Sequence, residues 1–300
     1  MNRFIRLRLL AMLLCLPFLL IFISGCGSSS QKKDEPPVYS PLQVLVPEAT
    51  GKETLGSSPM ILDVSNISQG YFIAQSDSSD LTCSLQIISP SGVLYSYFIA
   101  PGESATVTFT EGSGDYTITG YQQVQGDQYA ALYSETVTVQ LENDFLPFLY
   151  PNQYVNFTPD SKASQLALSM IDEDTVDVDA LQQIYDYVVS NLTYDYEKAD
   201  TVTTGYLPDV DETLKTGTGI CFDYAALTTA MLRSCDIPCK LQIGYAGDIK
   251  HAWIDVYIRS KGWVNQAISF KGDTWTLMDP TFDSNSDDKE AIQDYIGDES

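Results

Sequence analysis

The sequence predicts an α+β protein in two parts, an antiparallel β-sandwich-like domain followed by a mixed α+β domain. Three observations predict it. Apolar residues alternate with polar ones at a period of two in runs between Met60 and Leu141. An apolar stripe at helical spacing follows at Leu181, Ile184, Tyr185, Val188, Val189 and Leu192. β-like runs then return at residues 251–256 and 275–278. With 300 residues, of which 44% are hydrophobic, the chain has enough apolar material for two cores.

At the start of the chain, Arg3, Arg6 and Arg8 precede an apolar run from Leu9 to Phe22. That run is short for a bilayer span and has the length of a signal-peptide core, so residues 1–25 are expected to be cleaved. It ends in Ile23-Ser24-Gly25-Cys26, which resembles the bacterial lipoprotein lipobox. The resemblance implies diacylation of Cys26, which then becomes the mature N-terminus and the membrane anchor. A plain secretory signal and a short membrane anchor are the alternatives, and all three export the chain. Residues 26–59, which carry Ser, Pro and Lys, read as a flexible tether of roughly 30 Å root-mean-square span.

The β-sandwich-like domain is expected over residues 60–145. Val107 and Phe109 alternate with Thr106, Thr108 and Thr110, and Val137, Val139 and Leu141 alternate with Thr136, Thr138 and Gln140. Tyr116 and Ile118 share the same period. Turn signals at Ser91-Gly92, Gly112-Ser113-Gly114 and Gly126-Asp127 fall between the runs, which favours an antiparallel sandwich. Cys83 lies in a strand-like run and reads as a small buried hydrophobe. Residues 146–160, with Pro147, Pro151 and Pro159, interrupt both periodicities and read as a linker. The second domain occupies residues 161–300. Asp177 or Asp179 is placed to cap its amphipathic helix. The acidic run from Asp172 to Asp179 lacks EF-hand spacing and the turn glycine, so it reads as a solvated cap region and not as a calcium site.

Composition narrows the chemistry. Sixteen basic residues face 40 acidic ones, a net charge of -24. Loss of residues 1–25 would leave 13 basic residues against the same 40 acids, or -27. Such a field repels phosphate backbones and excludes nucleic acid as an expected partner. One histidine in the whole chain excludes a metal site built from two imidazoles, and imidazole chemistry falls to His251.

Residues 217–225 read GTGICFDYA, and Leu227, Ala230, Met231 and Leu232 continue an apolar helical face. Cys221 would stand at that helix's N-terminus, where unpaired N–H groups and the macrodipole favour a thiolate and can hold an oxyanion. Residues 251–256 read HAWIDV, with His251, Trp253 and Asp255 on one face of a strand. Residues 275–282 read WTLMDPTF. They place Asp279 at a strand end, from which a carboxylate can orient an imidazole on the neighbouring strand. Asp255 competes for that role, but it lies on the same strand as His251 and would have to reach back to the ring.

These three segments, in this order, resemble the core of the transglutaminase-like superfamily. DIPCKLQIGYAG at residues 236–247 is similar to the loop and strand after its nucleophile helix, and TYD at residues 193–195 to its upstream tyrosine segment. The resemblance covers roughly residues 160–285. It implies a papain-like α+β core with a Cys221, His251 and Asp279 triad, so that the full architecture is a papain-like transglutaminase core preceded by the β-sandwich-like domain. The backbone N–H of Cys221, and Tyr194 by resemblance, would be oxyanion donors. An imidazolium within about 4 Å is expected to lower the thiol pKa in spite of the acidic surface, whose charges are screened over roughly 8 Å. Trp253 either walls the substrate channel or packs against the helix. Cys235 and Cys239 are read three ways: zinc ligands with Cys221 and His251, a disulfide, or two reduced buried thiols. No cofactor and no metal is expected. The implied activity is that of an exported, lipid-anchored cysteine acyltransferase or peptidase acting through a thioester on amides of surface proteins or peptides. The alternative is a non-catalytic cell-surface binding or scaffold lipoprotein.

Overall fold

Eight strands make up the first half: β1 (Thr54–Ser57), β2 (Met60–Asp63), β3 (Tyr71–Ser76), β4 (Cys83–Ile88), β5 (Leu94–Ile99), β6 (Ser104–Thr108), β7 (Gly114–Gln125) and β8 (Gln128–Val139). The computed structural model describes residues 34–246, 249–271 and 274–277. The signal segment 1–25, Cys26 and Asp279 lie outside the described residues. The strands form two antiparallel four-stranded sheets, ordered β1-β2-β3-β6 and β5-β4-β7-β8. Met60, Leu62, Phe72 and Val107 from one sheet share a buried cluster with Leu85, Ile87, Tyr116 and Ile118 from the other. The period-two pattern therefore closes a sandwich, with one face of each sheet in the core. Gly126 turns the β7–β8 hairpin with φ +53, a conformation that costs a glycine little. Cys83 is fully buried.

The second half contains α1 (Lys162–Met170), α2 (Asp177–Asn191), β9 (Thr193–Tyr194), α3 (Tyr196–Thr201), α4 (Val210–Thr216), β10 (Thr218–Gly219), α5 (Cys221–Ser234), β11 (Cys239–Ala246), β12 (Ile249–Ile258), β13 (Gly262–Lys271) and β14 (Thr274–Leu277). The last four strands form an antiparallel sheet in the order β11-β12-β13-β14. Helix α5 is more than amphipathic: every residue from Asp223 to Ser234 is buried. A helix enclosed on all sides must satisfy its own polar groups. Thr228 donates to the Tyr224 carbonyl at 2.8 Å, and the Ser234 hydroxyl donates to the Ala230 carbonyl at 2.7 Å and lies 3.0 Å from the Ser164 hydroxyl of α1. Leu227, Ala230 and Met231 pack in one cluster with Ala163, Ile184, Val188 and Ile254.

Three expectations are corrected. Residues 36–45 are a packed strap and not part of a flexible tether. Val44 enters the core around α5, while Leu45 packs with Tyr71, Leu149 and Tyr150. Adjacent residues of an extended chain point to opposite sides, which lets one dipeptide pin both halves. The Tyr39 N–H donates to Asp236 at 3.0 Å, and Arg259 donates to the Pro37 carbonyl. Residues 146–160 are likewise no open linker. Val155 and Phe157 are core residues, Arg233 donates to the Tyr150 carbonyl at 2.7 Å, and Phe145 packs on Tyr257 with ring centroids 4.4 Å apart. The prolines end regular structure without ending burial. Finally, Asp177 does not cap α2; it pairs with Arg259 across the fold, and α2 starts after Val176 without a side-chain cap. Among the described residues no helix is long and apolar enough to cross a membrane.

Candidate active site

The turn that presents Cys221 is built by a small parallel bridge. β10 pairs with β9, Tyr194 opposite Gly219, and the N–H groups of Thr193 and Asp195 donate to the carbonyls of Gly217 and Gly219, each at 2.8 Å. Gly219 is required by space: a Cβ there would stand 2.6 Å from Cβ of Asp223. The chain then enters α5 through Ile220, whose side chain has no acceptor. The missing cap is supplied from inside the helix, where the Asp223 carboxylate takes the Ile220 N–H at 2.8 Å. Cys221 thus opens the helix at the place where backbone donors are unpaired.

The sulfur of Cys221 lies against the backbone N–H of Ala252, so α5 and the strand carrying His251 meet at that sulfur. His251 is 8% exposed and pairs across the sheet with Gly244 of β11. Its ring is stacked with Trp253 at 6.2 Å. The ring of Trp253 covers Gly244, where a Cβ would come within 2.7 Å. Tyr194, from β9, is close enough to Cys221 for the two to interact electrostatically, which puts its phenol at the same site.

Ionisation departs from the sequence expectation. Burial pushes the Cys221 thiol above its ordinary value, against the opposing pull of the Ala252 and Phe222 N–H groups. Burial also lowers the His251 imidazole. Both shifts disfavour the charged form of the group concerned, acting against the thiolate and imidazolium that the sequence suggests. The physical reason is desolvation, which a sequence does not display.

Asp255 does not reach the imidazole. Four residues along one strand separate it from His251, about 13 Å at 3.3 Å per residue, and its carboxylate accepts from Gln242 at 3.1 Å. Asp279 lies outside the described residues. Strand β14, which leads toward it, is separated from β12 by β13, so the strand before Asp279 is not the immediate neighbour of the histidine strand as the sequence suggested. The intervening β12–β13–β14 meander supplies the extra strand. Cys235 and Cys239 are free thiols, both buried, and burial pushes each up to about 12. Among the described residues no group of three or more His, Cys, Asp or Glu side chains converges as a metal site.

Three residues of the site were not singled out from the sequence. Asp223 has no exposed surface, and its carboxylate accepts from Lys198 Nζ at 2.7 Å and from the Tyr206 hydroxyl. An acid at the third position of a helix entered without a polar cap was a legible signal for Asp223; its two partners lie 25 and 17 residues upstream and leave no local trace.

The family model of the transglutaminase-like superfamily matches residues 164–268. No curated protein matches the chain. Solved structures are similar to it, two of them as follows. One, a candidate cysteine protease from Cytophaga hutchinsonii, is 18% identical with a TM-score of 0.34 over 76% of this chain and 78% of its own. The other, a candidate protease from Parabacteroides distasonis, is 14% identical with a TM-score of 0.30; 62% of this chain is covered and 38% of that one.

Proposed function

Taking residues 164–268 as a transglutaminase-like domain, we propose that the protein is a cysteine acyl-transfer enzyme that acts on amide bonds through a thioester on Cys221. The family match supports a cysteine-based enzyme in the coarse sense. The observation that carries the finer reading is the meeting of Cys221, at the start of α5, with the strand bearing the chain's one histidine. From a neutral pair, His251 takes the thiol proton as sulfur attacks the amide carbonyl, and it returns that proton to the departing amine as the C–N bond breaks. Water or an amine then adds to the thioester, giving its proton to His251, and Cys221 leaves as the thiol. The Cys221 N–H and Tyr194 hold the developing oxyanion, and Asp279 orients the imidazole. Hydrolysis and deamidation both pass the acyl group to water and differ in whether the amide attacked is backbone or side chain, whereas crosslinking passes it to an amine. Export and anchoring through Cys26, with surface proteins or peptides as substrates, complete the proposal and rest on the N-terminal sequence.

Purified protein incubated with glutamine-containing peptides and a primary amine should yield cleaved, deamidated or amine-bearing product. An acyl-enzyme with mass added at Cys221 should be trapped by acid quench. Product formed equally by Cys221→Ala would overturn the proposal, and absence of product with retained binding to surface extracts would favour a binding module.

A further inference from the structure

Beside the nucleophile lies a buried charge cluster that the acyl-transfer steps above do not use. The Asp223 carboxylate, two residues after Cys221, receives the Ile220 N–H, the Lys198 ammonium and the Tyr206 hydroxyl. Lys198 Nζ also donates to the Tyr206 oxygen at 2.6 Å and sits 4.5 Å from the centre of its ring. The ring of contacts is closed, so each polar group in it is satisfied by another. Lys198 belongs to α3, whose N-terminus is capped by Asp195, and Asp195 in turn donates its N–H to Gly219. The segment from Thr193 to Tyr206 is therefore fastened to the nucleophile turn twice, by the β9–β10 bridge on one side and by Lys198 and Tyr206 on the other.

We propose that Asp223 is a positioning residue for Cys221, and that Lys198 and Tyr206 hold its carboxylate so that the turn stays rigid and the local charge beside the sulfur stays balanced. The geometry requires both functions. Without Asp223, the entry N–H of α5 has no partner at a buried helix end. Without Lys198, a buried carboxylate stands uncompensated close to a thiol that has to lose its proton. Tyr194 from β9 also interacts with Cys221, and the strand of His251 meets its sulfur at the Ala252 N–H, so the Lys198–Asp223 pair is the adjustable charge. This inference rests on Cys221 being the reacting thiol, and its test reads the thiol directly, whether or not any substrate is turned over.

The test is the rate of iodoacetamide modification of Cys221 against pH, followed by mass spectrometry of the peptide containing it, in the full chain. Lys198→Met should raise the midpoint and slow modification several-fold near neutral pH. Asp223→Asn keeps an acceptor for the Ile220 N–H but removes the charge, and should lower the midpoint and speed modification. The double variant should return toward wild type, and Lys198→Arg should leave the midpoint in place. Midpoints that do not move, or that move the same way in both single variants, would overturn the proposal. If Asp223→Asn does not fold, the contrast of Lys198→Met with Lys198→Arg decides it, because Lys198 is partly exposed and its replacement leaves the core intact.

Discussion

The sulfur of Cys221 lies against the N–H of Ala252, the residue after His251. That contact joins the first turn of a helix buried from Asp223 onward to the strand that carries the histidine. Burial disfavours charge on both the Cys221 thiol and the His251 imidazole.

A neutral pair has a distinct pH signature. With the imidazole lowered by burial, His251 stays unprotonated, and able to act as base, to values below its ordinary 6.5. Cys221-dependent turnover should therefore hold through pH 6.5 and fall only below it. Modification of Cys221 by iodoacetamide at pH 5 should be slow and unchanged by His251→Ala. Fast modification at pH 5 that His251→Ala abolishes would reveal a thiolate–imidazolium pair instead.

The central helix should be unforgiving. Leu227 has no exposed surface, and Leu227→Ala should cost about 2–5 kcal/mol through lost transfer energy and the cavity left behind. Urea unfolding would measure this as a lower midpoint with an unchanged slope.

Asp236 is buried at the C-terminal end of α5 with φ +58, and burial, only partly offset by the Tyr39 N–H and Arg259, pushes its carboxyl up to about 7. A folded-state value above the unfolded value of about 3.9 means that the native state binds the extra proton. The stability from this group is complete below about pH 4 and is lost as pH rises through 7. Asp236→Asn keeps the acceptor, suits the left-handed backbone and removes the ionisation. It should flatten the fall in stability between about pH 4 and 7. At pH 8 it should stabilise the protein by roughly 2–4 kcal/mol, since each tenfold change in proton affinity is worth about 1.36 kcal/mol. Equal pH dependence in the variant, by thermal or urea unfolding, would count against this account.

The strap should behave as part of the fold. Protease should cut residues 36–45 no faster than it cuts the sandwich loops, because Val44 and Leu45 are buried on opposite sides. Val44→Asp places a charge in the α5 cluster and should release the strap, which limited proteolysis would show as early cleavage between residues 36 and 45. Early cleavage in the wild type would restore the tether.

Much of this protein is legible in its sequence where the signal is local. Alternation at Val107 and Phe109 or Val137 and Val139 reports which strand face is dry, and the two-sheet sandwich follows. The GTGICFDYA segment marks a tight turn into a helix with Cys221 at its start, and a chain with one histidine can put imidazole chemistry only at His251. Tertiary structure decided what depends on distant chain segments. Residues from 34 to 59 and from 146 to 160 look like loops because their apolar residues, Val44, Leu45, Val155 and Phe157 among them, lack a regular period and find a core only in the folded chain. Asp223 is one carboxylate among 40 in the sequence; Lys198 and Tyr206, brought from an upstream segment, make it the charge beside the nucleophile. The ionisation of the thiol escapes the sequence for the same reason. Helix dipole and neighbouring charge can be inferred from spacing, but desolvation is a property of everything that closes over the site, and only the folded chain contains it.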